Sequence, residues 1–132
     1  MKIENLKRRF VIHKHTRGNE THWDLMIEYA DCLKTWRLDN SPEKLAGDFD
    51  KLSPGKTKAT PIFDHDKKFL TYQGAVNNGK GTVEIADEGI CTIELADDKI
   101  VKIFFAGKIL NNQFNVFQQN DFLEISLNAM TG

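Results

Sequence analysis

Cysteine is scarce in this chain, long apolar runs are missing, and the net charge is only −1. Cys32 and Cys91 stand in separate apolar segments with no CxxC spacing, which argues against a disulfide framework or a zinc knuckle and for two free thiols. No apolar run approaches the roughly 18 residues that would span a bilayer, so no membrane partner is expected. The opening Met1-Lys2-Ile3-Glu4-Asn5 lacks the apolar stretch of a signal peptide, and a cytoplasmic location is the expectation. Hydrophobic residues at 40% and charged residues at 28% exclude a disordered or fibrous chain. There is also no internal repeat and no interdomain linker, so residues 1–132 are read as a single domain around one core.

The small net charge conceals an uneven distribution. Residues 1–68 hold 14 of the 18 Lys and Arg, while the remainder of the chain is acidic. An N-terminal half with excess positive charge is compatible with phosphate binding, but a charge run is more often a solvated face and does not carry a nucleic-acid reading unaided.

Period-two alternation of apolar and polar residues marks strands at 10–14, 23–29, 82–85 and 90–95. Turn formers separate them, as in Asn77-Asn78-Gly79-Lys80-Gly81, Asp87-Glu88-Gly89, Ala96-Asp97-Asp98 and Asn111-Asn112. The second half therefore reads as an antiparallel meander. One helix start is visible, with Ser41 as N-cap and Pro42 in the first turn, leading into a short segment over 45–52. Strands in this number must stack or close to hide their edges. The expected fold class is mainly β, a small antiparallel barrel with one or two short helices.

Three of the four histidines lie within residues 13–22. In the strand that starts at His22, alternation sends Trp23, Leu25 and Ile27 to one face and His22, Asp24 and Met26 to the other, polar face. Upstream, Val11, His13 and His15 share a face, and a turn through Gly18-Asn19 brings this strand back beside the next. His15 then faces His22 and Asp24. Two imidazoles and a carboxylate, with positions open for water or substrate, suit Mn²⁺, Fe²⁺ or Zn²⁺. His65, in Phe63-Asp64-His65-Asp66, has no spacing relation of its own.

Arg9-Phe10-Val11-Ile12-His13-Lys14-His15 resembles the RFVIQKH word of the 3′-phosphoesterase domain of bacterial DNA ligase D. His22-Trp23-Asp24-Leu25-Met26-Ile27-Glu28 is similar to its HYDFRLE, and Leu33-Lys34-Thr35-Trp36 to its LKSW. Asp64-His65, Gln73-Gly74 and Gly81-Thr82-Val83-Glu84-Ile85 are similar to its DH, EG and GTVEI words. The resemblance implies a β-barrel and a manganese-dependent activity on DNA or RNA–DNA 3′ ends, removing a 3′-phosphate or a 3′-terminal ribonucleotide in DNA repair, beside a separate ligase or polymerase. It implies His15, His22 and Asp24 as metal ligands, with Zn²⁺ or another divalent transition metal as alternatives to Mn²⁺, and His65 as a catalytic histidine at the scissile phosphate.

The departures bear on activity. Met26 stands where the family has a phosphate-clamping arginine, Phe69 where it has a tyrosine, His13 where it has a glutamine, and Phe63 where it has an acidic residue. Loss of the arginine removes charge stabilisation worth roughly 10²-fold or more in rate. Arg17, Arg37 or Lys14 is expected to fill the gap, and His13, Arg17 and Arg37 are read as substrate-binding. Two alternatives remain beside the enzyme: a metal-containing module that binds 3′-phosphate ends without turnover, and a hydrolase of a small phosphoester.

Overall fold

Eight antiparallel strands close into a barrel in the computed structural model, which describes residues 2–47, 55–76 and 79–128. In chain order they are β1 (Ile3–Arg17), β2 (Glu20–Glu28), β3 (Leu33–Leu38), a one-turn helix α1 (Pro42–Leu45), β4 (Lys56–His65), a 3₁₀ turn (Lys67–Leu70), the two-residue β5 (Gly74–Ala75), β6 (Thr82–Ala96), β7 (Lys99–Gly107), β8 (Gln113–Gln118) and β9 (Leu123–Leu127). The order around the wall is β1-β2-β3-β4-β9-β8-β7-β6, with β6 returning to β1 and β5 added beside β6. Closure leaves no open edge in the main wall, the usual liability of a meander. The expected barrel and its second-half meander are both present.

Inside the wall, Phe10, Ile12, Leu25, Ile27, Leu38, Ile93, Ile103, Phe105 and Phe114 form the main core. Phe105 meets Phe10 and Phe114 edge-on, with ring centroids 4.9 and 5.6 Å apart. Each ring is fully buried and contributes about 2–3 kcal/mol by removal from water. Of these, Phe10, Ile12, Leu25 and Ile27 lie on the faces of β1 and β2 opposite His13, His15, His22 and Asp24, as alternation implied.

Gly18 at φ 61° and Asn19 form a tight turn that pairs Arg17 with Glu20, His15 with His22 and His13 with Asp24. The register follows from this two-residue connection. Ser41 caps α1 by accepting a hydrogen bond from the Lys44 amide, as its position before Pro42 suggested. The helix ends at Leu45 with a turn at Ala46 and Gly47, and residues 48–52 of the expected segment lie outside the described residues.

One expected break is instead the middle of a strand. Residues 87–89 run straight through β6, because the buried Asp87 carboxylate accepts hydrogen bonds from the backbone N–H groups of Glu88, Lys108, Ile109 and Leu110. Gly89 is there for close approach: a Cβ on it would lie 2.2 Å from the Ala106 carbonyl oxygen of β7. Ala86 is the extra residue of a bulge, since Ile12 pairs with Asp87 and His13 with Ile85.

The outer face of β1–β3 is not the wet surface that alternation implied. Val11, Met26, Leu33 and Leu70 form a second apolar cluster, with Phe69 and Ile85 packed against it. The 3₁₀ turn roofs this face, so Met26 is 2% exposed and His13 is fully buried.

Candidate metal centre

Strand pairing brings His15, His22 and Asp24 to one point on the roofed face. His15 Nδ1 lies 3.1 Å from His22 Nε2, which lies 3.3 Å from Asp24 Oδ2, and His15 Nδ1 is 4.0 Å from the same oxygen. Ligand atoms about 2.1 Å from a common ion stand roughly 3.0–3.4 Å apart at near-tetrahedral to right angles, so two of the three edges already have that length. Among the described residues this is the one group of three or more such side chains placed closely enough to hold a metal.

The orientation of the trio has identifiable causes. His15 Nε2 donates to the Lys80 carbonyl at 2.8 Å, which leaves the Nδ1 lone pair directed at the other two residues. Lys80 can come so near because its neighbour is Gly81, at φ 97°, where a Cβ would lie 2.1 Å from the Thr16 carbonyl oxygen. Asp24 is 4% exposed, and its Oδ1 is buried without a hydrogen-bond partner. A buried carboxylate oxygen is normally paired, so an unpaired one beside two imidazoles fits a site completed by a cation. Burial lowers the pKa of His22 from its ordinary value, against the opposing pull of Asp24, and Arg37 adds to the lowering. A neutral imidazole is the form that binds metal.

His65 reaches the same cavity through a bulge. Thr35 of β3 pairs with Ile62 and Leu33 with His65, so β4 carries one residue more than β3 over this stretch, and both Ile62 and His65 face the site. Thr35 Oγ1 donates to the Leu33 carbonyl at 3.1 Å and lies 2.9 Å from His65 Nδ1. Its single proton being used on Leu33, the threonine accepts from His65 Nδ1–H, and the Nε2 lone pair is left free. Burial lowers the pKa of His65 as well.

A cavity of about 390 Å³ is lined by His15, His22 and Asp24 together with His13, Met26, Arg37, Phe63, His65, Lys68 and Phe69, among others. Six residues expected in the site from sequence therefore converge: His13, His15, His22, Asp24, Arg37 and His65. Arg17 does not line the cavity; it closes the β1–β2 hairpin opposite Glu20. Lys14 points to the other face of β1 and pairs with Glu84 at 3.8 Å. His13 is fully buried, and desolvation lowers its pKa against the opposing pull of the nearby Asp24 charge and of the Phe69 backbone. Thr35 and the Lys80 carbonyl, which orient the two histidines, were invisible to sequence reasoning: Thr35 sits inside a recognised word without a role, and a carbonyl has no side-chain signal.

A match to the DNA Ligase D 3′-phosphoesterase domain family covers residues 12–118. The chain belongs to that family. No curated protein matches it. The matched span includes every cavity residue named above and ends with β8. Within this 3′-phosphoesterase domain, β2 contributes Met26 to the cavity floor and β3 contributes Arg37 from beside Asp24.

Proposed function

We propose that this domain is a metal-dependent 3′-phosphoesterase acting on DNA or RNA–DNA 3′ ends, where it removes a 3′-phosphate or a 3′-terminal ribonucleotide in DNA repair. The observation that carries the reading is the buried, unpaired Asp24 Oδ1 beside His15 and His22, in a cavity that His65 also lines. His15, His22 and Asp24 would hold the ion, with Mn²⁺ the favoured metal and Zn²⁺ the alternative. Bound there, a divalent ion supplies Lewis acidity toward a phosphate oxygen and lowers the pKa of a bound water.

The protein's own groups do the rest. The Lys80 carbonyl holds His15 in the tautomer that presents Nδ1. His65, neutral when the cavity is empty of phosphate, presents Nε2; an arriving phosphate favours its protonation, after which Nε2–H donates to a phosphate oxygen. Arg37 supplies the guanidinium that Met26 does not, from the next strand. The roof over β1–β3 excludes water from one side of the reacting group and strengthens these charge interactions.

A second reading is a module that binds 3′-phosphate ends for a separate ligase or polymerase without turnover. Met26 favours it, because an apolar side chain 2% exposed gives a transferring phosphate no charge at that position. Incubating a labelled 3′-phosphate oligonucleotide with the protein and Mn²⁺, with and without chelator, beside a mobility-shift assay, separates the two. Metal-dependent release of phosphate supports the enzyme; a shift without release supports the module; neither outcome with Mn²⁺ or Zn²⁺ refutes both.

A further inference from the structure

Phe63 is 75% exposed, the largest exposure among the large apolar side chains described. It packs into neither apolar cluster, yet its ring is not free. It stacks on His65 with centroids 4.8 Å apart and planes 18° from parallel. Both residues line the cavity that holds His15, His22 and Asp24. Phe63 and His65 are two apart on β4, the spacing that puts two side chains on one face of a strand, and the bulge between Ile62 and His65 brings that pair to the cavity. One face of the ring is thus covered by His65, and the remaining exposure leaves the other face to solvent. Lys68 and Arg37, on the same cavity, supply positive charge for a nucleic-acid backbone.

We propose that the open face of Phe63 is a stacking platform for the base of the nucleotide whose 3′-phosphate enters the cavity. The proposal rests on the phosphoesterase reading and narrows its substrate to one bearing a nucleobase, against a small phosphoester. An exposed aromatic ring held flat beside a cavity whose lining carries Arg37, Lys68 and Lys80 as well as Asp24, Asp64 and Asp66 can grip a single-stranded end by its base, and stacking tolerates any of the four bases because each has a π face.

The test compares Phe63→Ala and Phe63→Trp with the parent on two 3′-phosphate oligonucleotides, one with an ordinary terminal nucleotide and one whose terminal nucleotide is abasic, reading KM and kcat with Mn²⁺. If the protein binds without turnover, Kd from fluorescence anisotropy replaces KM. Phe63→Ala is expected to raise KM about tenfold on the base-bearing end, to change kcat less than about twofold, and to have no effect on the abasic end. Phe63→Trp is expected to keep the parent KM. An equal KM for parent and Phe63→Ala on the base-bearing end overturns the proposal, as does an equal rise on both substrates, which would indicate a displaced His65. A parent protein that acts on the oligonucleotide while Phe63→Ala matches it overturns the platform alone. A parent that neither binds nor hydrolyses it overturns the phosphoesterase reading and the platform together.

Discussion

Replacing Asp24 by Asn should separate what the buried carboxylate does for function from what it does for folding. The side chain is 4% exposed, Oδ2 lies 3.3 Å from His22 Nε2, and Oδ1 has no partner. An unsatisfied buried polar atom costs about 1–3 kcal/mol, and a charged one more. Asn keeps the shape, removes the charge, and offers an amide that can donate to an imidazole lone pair. The metal-free variant is therefore expected to be as stable as the parent or more stable by about 1 kcal/mol, which raises Tm by roughly 3–5 °C in a chain of this size. Metal should act in the opposite sense. At an Mn²⁺ concentration 100 times Kd the parent gains about 2.7 kcal/mol, or roughly 10 °C, and the Asn variant gains almost none. Differential scanning calorimetry with and without Mn²⁺ reads both effects. A metal-free Asp24→Asn protein that melts well below the parent, or one that keeps the full Mn²⁺ shift, would refute the reasoning.

Removing the imidazole in His65→Ala should lower kcat for 3′-phosphate hydrolysis by about 10²–10⁴-fold while leaving the Mn²⁺ melting shift intact; loss of that shift would place His65 among the ligands. Met26→Arg puts a guanidinium among Val11, Leu33 and Leu70, and is expected to cost about 2–4 kcal/mol, read as a lower urea midpoint. An unchanged midpoint would show that the arginine reaches the cavity. His13 is fully buried with a lowered pKa, so below its ordinary value of 6.5 the unfolded chain binds a proton that the folded chain refuses. Stability should then fall as pH drops from 6.5 toward the lowered folded value, by up to about 1.4 kcal/mol per pH unit from this group, and His13→Gln should lessen the slope to the part that His22 and His65 contribute. Equal slopes in urea unfolding between pH 7.5 and 5.5 would contradict this.

The parts of the fold legible in the sequence were those set by short-range periodicity. Alternation over β1 and β2, with Gly18-Asn19 as the turn, was enough to place His15 opposite His22 and beside Asp24. Long-range cover was not legible. The outer face of β2 looked wet because its polar residues alternate cleanly, whereas the 3₁₀ turn at Lys67–Leu70, some forty residues on, roofs it and buries Met26 and His13. His65 could be tied to the site only through family resemblance, because a one-residue bulge in β4 decides which face it occupies. Asp87-Glu88-Gly89 has turn composition but extended backbone; tertiary hydrogen bonds to the Asp87 carboxylate override the local preference. Arg17 was drawn toward the site by its nearness in sequence to His15 and His22, and the hairpin carries it past the cavity.

Because β1 and β2 bury both faces, adjacent residues on these strands answer to different demands. Positions 10, 12, 25 and 27 fill the barrel, while 11, 13, 15, 22, 24 and 26 form or underlie the site. The two sets are nearly separate channels for variation. A library restricted to the second set can vary the cavity's lining while the barrel's interior keeps its packing. An insertion of one residue in either strand would instead exchange the two sets and lose both.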